Sequence, residues 1–179
     1  MLKLKKWVLP AVFGVLGVAA IVLVALASMN ASVGGVDSSY KGIVFGCKKV
    51  VAIYNGTPVE TEVDYGPAVL PLVGWILIVV GVVCGLCVAF LGKKFIKNPK
   101  VERIVGLCAA LLALVGGVFQ FFALRSFAGV LAKEMGAEVE DIMTLFKNAN
   151  AAVPLCTVGG ILGIVGACAL AVREFLPEK

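Results

Sequence analysis

Four long apolar stretches without a single charge dominate the pattern of this chain: Trp7–Ser28, Pro67–Gly92, Ile104–Leu124 and Val153–Val172. A helix crossing a hydrocarbon core of about 30 Å needs about 20 mostly apolar residues, and each stretch is long enough. The pattern predicts an all-α membrane domain over residues 1–179. In it a four-helix transmembrane bundle is joined by loops at 29–66, 93–103 and 125–152.

The loop at 29–66 reads as structured. Residues 42–63 alternate and are rich in Val, Ile, Tyr and Thr. Asn55-Gly56 is a strong hairpin signal, because both turn residues must take positive φ. A two-residue turn there pairs Tyr54 with Thr57, Ala52 with Val59, Val50 with Thr61, and Lys49 with Glu62. The last pair is a favourable cross-strand charge match. Pro58 has no N–H to donate, which places its strand at an edge. Tyr40–Gly46 is a candidate third strand. Two strands alone are marginal in water, so the sheet is expected to rest on the bundle.

The loop at 125–152 carries helical spacing over Phe127–Phe146, with apolar residues three or four apart and Glu134, Glu138, Glu140 and Asp141 largely between them. Its polar face is acidic, unlike that of most lipid-surface helices. The expected arrangement is packing against the sheet or bundle, or a partial extension of the third span. Gly129 and Gly136 are possible break points.

Lipid supplies no hydrophobic drive between helices, so small residues that permit close approach matter. Gly81, Gly85 and Ala89 form such a row in the second span. Gly106 pairs with Ala110, and Ala113 with Gly117, in the third. Gly159, Gly163, Ala167 and Ala171 form the longest row, in the fourth. Gly14 and Gly17 thin the first. These rows serve either packing within one bundle or, for the fourth span, a homo-oligomer seam. Pro10, Pro67, Pro71 and Pro154 sit at span starts, where a missing N–H costs little. Trp7 and Trp75 are candidate interfacial anchors, although Trp75 is deep enough to pack inside the bundle.

Composition agrees with lipid. The chain has 179 residues, 61% of them apolar, and a mean hydropathy of +1.06. Soluble domains are about 45–50% apolar, and a chain this short cannot build a core large enough to hide the excess. The net charge of +5 sits beside helix ends, which argues against a nucleic-acid partner. One side holds Lys3, Lys5, Lys6, Lys93, Lys94, Lys97, Lys100, Arg103, Arg173 and Lys179 against Glu102, Glu174 and Glu178, a net +7. The other side is net −2. Basic residues mark the cytoplasmic side. Both termini are therefore expected in the cytoplasm of a multi-pass plasma-membrane protein, with 29–66 and 125–152 outside. The basic 93–103 loop either fixes orientation or touches anionic headgroups. Ala25-Leu26-Ala27 fits a cleavage site, but the apolar run before it exceeds the 7–15 residues of a signal peptide, favouring an uncleaved anchor.

Catalytic chemistry is sparse. There is no His, and no Asp, Glu, Lys or Arg lies inside a span. Intramembrane ionisable residues normally mark proton relays and ion paths. Gln120 and Thr157 are the main polar side chains within spans, expected to hydrogen-bond across helices. Arg125 either snorkels to headgroups or pairs with an acid of the loops. Cys84-x-x-Cys87 lies with Cys108 near one end of the bundle, and Cys156 and Cys168 lie in the fourth span. A CxxC can be a redox pair, but no charge is placed to activate it. The expected role of these cysteines is packing as small apolar residues. No cofactor or metal set is apparent. Asn30-Ala31-Ser32 and Asn55-Gly56-Thr57 match the glycosylation pattern, which is short enough to occur by chance.

The layout resembles claudin-type tetraspans: short ends, a β-prone first outer loop, a short basic inner loop and a helical second outer loop. Gly42-Ile43-Val44-Phe45-Gly46-Cys47 keeps the Gly and Cys spacing of that family's Gly-Leu-Trp-x-x-Cys signature. Val44 stands where the family has Trp, and no second Cys follows in the loop, so the family's disulfide cannot form. The resemblance implies a left-handed four-helix bundle with a small extracellular sheet. The expected function is non-enzymatic: contact with lipid and with another membrane protein or a second copy, through the small-residue rows and the outer loops. One alternative is a channel or transporter subunit with a pore between protomers. Another is a membrane thiol oxidoreductase.

Overall fold

A computed structural model of the chain describes residues 8–96 and 98–175. Trp7, Lys3, Lys5, Lys6, Lys97, Glu178 and Lys179 lie outside the described residues. Helices α1 (Val8–Ala25), α2 (Val69–Phe95), α3 (Pro99–Phe119) and α6 (Pro154–Phe175) form a ring in which α2 packs on α3, α3 on α6, α6 on α1 and α1 on α2. Four helices are long and apolar enough to cross a membrane, consistent with a tetraspan topology.

The bundle interior is built from small residues: Ala20, Ala109, Ala110, Ala113 and Ala167 pack with Phe13, Ile78, Val82 and Leu170. Large apolar side chains lie on the outside, among them Val15 at 70% exposure, Phe90 at 61% and Leu111 at 60%. This reverses the arrangement of a water-soluble core, where Leu, Val and Phe go inside. An exterior of this kind implies contact with a lipid bilayer.

Helix boundaries follow local signals. α1 stops at Ala25 rather than Ser28, because Ser28 already pairs with Lys41 in a sheet. α2 starts just after Pro67 and carries Pro71 in its first turn. No side chain of its own caps it; Ser126 Oγ instead accepts from Leu70 N–H at 3.3 Å. α3 begins five residues before Ile104, at Pro99. Asn98 caps it by accepting from Lys100 N–H at 3.0 Å, and Pro99 occupies the first turn, where proline is preorganised.

The third apolar stretch does not end in a loop. After α3 a single 3-10 turn, Gln120–Phe122, leads into α4 (Ala123–Met135), and the helical rod Pro99–Met135 has 37 residues. At 1.5 Å per residue that is about 55 Å, far beyond one hydrocarbon core. The segment both extends the third apolar helix and packs against the sheet. Gly136, at φ 64, ends α4 in the left-handed conformation that Gly favours. Gly129 does not interrupt α4. A separate helix α5 (Val139–Asn148) follows, so Phe127–Phe146 is two helices rather than one.

The sheet is larger than a hairpin. Strands β1 (Ser28–Val33), β2 (Val36–Lys41), β3 (Cys47–Tyr54) and β4 (Thr57–Tyr65) form an antiparallel meander in the order β1-β2-β3-β4. Asn55 (φ 49) and Gly56 (φ 80) make the β3–β4 turn, and Tyr54–Thr57, Ala52–Val59, Val50–Thr61 and Lys49–Glu62 are register partners. A second turn at Gly34-Gly35, with φ 56 and 83, joins β1 to β2. The candidate third strand at Tyr40–Gly46 is corrected: β2 ends at Lys41 and residues 42–46 turn back. Phe45 and Gly46 N–H both donate to Gly42 carbonyl, and Gly42 and Gly46 take positive φ. The turn pushes Ile43 and Val44 fully inside.

The inner face of the sheet closes a second core. Met29, Ile43, Val44 and Cys47 meet Phe127, Leu131, Ile142, Phe146 and Cys156 from α4, α5 and α6. Tyr40 and Tyr65 contact the Phe127 ring edge-on at 5.8 and 6.4 Å. The sheet is thereby anchored to the end of the bundle.

Candidate contact surfaces

The glycine rows lie where helix backbones nearly touch. A Cβ on Gly81 would come within 2.8 Å of Ala109 O and Ala113 N, and one on Gly85 within 2.6 Å of the Phe13 ring. Gly117 would meet Gly160 O at 2.7 Å; Gly159 would meet Val24 of α1 at 2.6 Å. Gly163 has only ordinary contacts, to Ile78 at 3.5 Å and to Ala113 and Gly117 at 3.7 Å. Gly106 and Ala167 are buried. Each of Gly81, Gly85, Gly117, Gly159 and Gly163 faces another helix of the same chain.

The tightest approach to a neighbouring backbone involves a pair absent from those rows. A Cβ on Gly74 would lie 2.7 Å from Gly116 O, and one on Gly116 would lie 2.5 Å from Gly74 O. Gln120 sits beside them, 1% exposed. Its Nε2 donates across helices to Pro71 O at 3.1 Å and within its own helix to Gly116 O at 3.4 Å. Its Oε1 has no partner among the described residues. The cross-helix role expected of Thr157 is corrected: its Oγ1 donates to Val153 O, one turn back, at 3.2 Å. Trp75 packs within the fold, donating to Ile21 O at 3.0 Å and meeting the Phe45 ring at 5.0 Å.

Charged groups gather at the two ends. Arg125 pairs with Glu140 of α5 at 3.0 Å, with both side chains exposed. At the opposite end Glu102 of α3 and Arg173 of α6 approach to 3.6 Å with exposures of 16% and 17%. Their sequence positions had marked them only as flanking charges.

The packing role of the cysteines is corrected in part. Cys47 and Cys156 are buried, but Cys84, Cys87, Cys108 and Cys168 are exposed on the bundle exterior. Burial pushes the Cys47 thiol above its ordinary range, with backbone hydrogen bonding at Lys49 and Lys41 pulling partly back. Burial likewise raises Tyr40, and the neighbouring Tyr65 and Cys47 add to it. Among the described residues no group of three or more His, Cys, Asp or Glu is placed to hold a metal ion.

The sheet has two different edges. That of β1 is closed by the 149–152 segment: Asn30 N–H donates to Ala152 O at 2.9 Å, Ala152 N–H to Asn30 O at 2.8 Å, and Ser32 N–H to Ala149 O at 2.7 Å. Beside it lies a concavity of about 390 Å³ lined by Asn30, Ser32, Asp37, Ser39, Val51 and Asn150 among others. The edge of β4 has no backbone partner among the described residues. Lys49 and Glu62 are register partners, but the Lys49 ammonium sits 3.5 Å from Glu60 instead. Glu60 is a diagonal neighbour on the same face, and a long side chain reaches it across the twisted ladder. Lys48 contacts Asp64.

No protein-family model matches the chain, and no curated protein matches it as a relative. The likeness to claudin-type tetraspans thus has no family support beyond the four apolar helices and the accompanying small sheet.

Proposed function

We propose that this chain is a four-span plasma-membrane protein with both termini in the cytoplasm, acting by contact through its outer sheet rather than by catalysis. The orientation rests on the charge asymmetry, +7 against −2. The observation that carries the contact reading is where the free surface lies. The tight glycines of the spans face helices of their own chain. The sheet by contrast presents an open edge at β4, with Tyr54 and Val59 of the β3–β4 hairpin exposed at 53% and 45% beyond the bundle. Exposed apolar groups next to unpaired strand backbone form a docking surface for another protein.

Crosslinking in intact membranes, followed by extraction into nanodiscs and mass measurement, tests this. The expected result is a discrete adduct with one other membrane protein, lost when Val59 and Tyr54 are changed to Ser. A chain that remains alone at its native abundance overturns it. Solute flux through purified protein in liposomes would favour a channel subunit instead.

A further inference from the structure

We infer that the free edge of β4 is a strand-addition site for a basic extended segment of a partner protein. The inference rests on the contact reading above and names its site and its partner's chemistry.

Register decides which groups the edge offers. The β3–β4 hairpin closes through a two-residue turn at Asn55-Gly56, so its flanking pair Tyr54–Thr57 exchanges hydrogen bonds. Antiparallel pairs alternate from there. Ile53–Pro58, Val51–Glu60 and Lys49–Glu62 are then the non-bonded pairs, and the backbone groups of Pro58, Glu60 and Glu62 point out of the sheet. Pro58 is accommodated because its missing N–H would have faced outward. Glu60 and Glu62 each present a free N–H and C=O.

The side chains select the occupant. On the face of the sheet away from the helices, β2 and β3 carry Lys41 and Lys49, and β4 carries Glu60 and Glu62. Glu60 is shared with Lys49, while Glu62 has no ion-pair partner among the described residues. The outward column of the edge strand is thus acidic at Glu60 and Glu62, and a basic column beside it is the favourable continuation. On the other face of β4, Val59, Thr61 and Val63 ask for apolar neighbours. The segment that fits alternates Lys or Arg with Val or Ile and runs antiparallel to β4. A second copy does not fit, because two β4 edges about a two-fold axis set Glu60 against Glu62 of the other chain. The edge thus rejects itself and admits a basic strand, using repulsion as well as attraction for specificity.

The test uses the full chain in zwitterionic nanodiscs and a dye-labelled seven-residue peptide of alternating Lys and Val. In antiparallel pairing the Lys positions face Glu60 and Glu62, and it is their N–H groups that bond the edge. Saturable binding is expected, weakened about tenfold by methylating the Lys backbone nitrogens and little changed by methylating those of Val. Glu62→Pro removes the carboxylate and the outward N–H without touching a β3–β4 bond, and is expected to weaken binding well beyond the loss from Glu62→Gln, which removes the charge alone. Glu62→Gln is expected to weaken it and flatten its salt dependence. Equal binding of the two methylated peptides would mean charge attraction alone and overturns the inference. So does a homodimer that Glu62→Pro dissolves. Failure of the peptide to bind, with crosslinked capture of a membrane partner untouched by Glu62→Pro, overturns the edge site and leaves the contact reading standing. Peptide binding without any captured membrane partner supports the edge site and removes the contact reading.

Discussion

The side-chain amide of Gln120 donates to the main-chain carbonyl of Pro71, 3.1 Å away across the α2–α3 crossing. It does so where α3 tightens into its 3-10 turn: Gln120 N–H bonds Gly117 O and Val118 O, leaving Gly116 O for the Gln120 side chain. One amide joins two helices and covers a carbonyl that the tightened turn releases. Its own Oε1 stays without a partner among the described residues. Gln120→Leu removes the bonds together with that buried acceptor, so the net change is expected within about 1 kcal/mol. Gln120→Glu, which buries an acid, is expected to cost clearly more. Unfolding in mixed micelles ranks the two; equal losses would sink this account of the site.

Gly116 and Gly129 make an opposed pair. Gly116→Ala drives a methyl group against Gly74 O, and backbone cannot step aside; a loss of about 1–3 kcal/mol is expected. Gly129 lies inside α4 with nothing within 4 Å of an added Cβ, so Gly129→Ala is expected to stabilise by about 0.5–1 kcal/mol. The same unfolding assay reads both, and a common sign would contradict the packing described.

Asn55 holds φ 49 in the β3–β4 turn. Asn55→Ala is expected to cost about 1 kcal/mol of sheet stability and Asn55→Gly almost nothing, because only Gly takes that conformation freely. Hydrogen exchange of the β3 and β4 amides checks it.

Cysteine reactivity should divide by face. In nanodiscs a lipid-soluble diazirine, whose carbene needs no thiolate, is expected to label Cys84, Cys87, Cys108 and Cys168 and to spare Cys47 and Cys156. Cys47 alkylation should also begin at higher pH than that of a free thiol, since its thiol is raised. Both Cys47 and Tyr40 are raised by burial. Their neutral forms therefore support the sheet-end core below the ordinary thiol and phenol ranges, and that support is lost as pH climbs through the raised values. Mass spectrometry of labelled peptides across alkaline pH reads the first effect. Loss of the tyrosine near-UV dichroism across the same range reads the second.

What could be read from sequence was what depends on neighbours in the chain. A run of apolar residues long enough to span lipid is a local fact, and so is an Asn-Gly turn, whose register follows once the turn is placed. The end of the third helix was hidden because hydropathy falls at Arg125 while helix-forming residues continue to Met135. Ile43-Val44-Phe45 looks like strand on side-chain type alone; the glycines on either side turn it. The β1–β2 hairpin carried its own Gly34-Gly35 signal, overshadowed by the adjacent apolar run. Other features needed the assembled molecule. Which cysteines face outward depends on where the other helices stand. Lys49 chose Glu60 over Glu62 through the twist of the ladder. The contact of Gly74 with Gly116 joins residues 42 positions apart, and no spacing rule reaches that far.

The helical rod from Pro99 to Met135 ties the two ends of the molecule together. Its first turn carries Glu102, 3.6 Å from Arg173, and its last third carries Phe127 beneath the sheet. About a pivot at its 3-10 turn the rod has arms of about 33 and 21 Å, so a tilt of about 5° moves its ends by about 3 and 2 Å. Because the rod is helical throughout, with one tightened turn at Gln120–Phe122, pressure on the sheet has a stiff route to the Glu102–Arg173 clasp. That turn is the natural fulcrum.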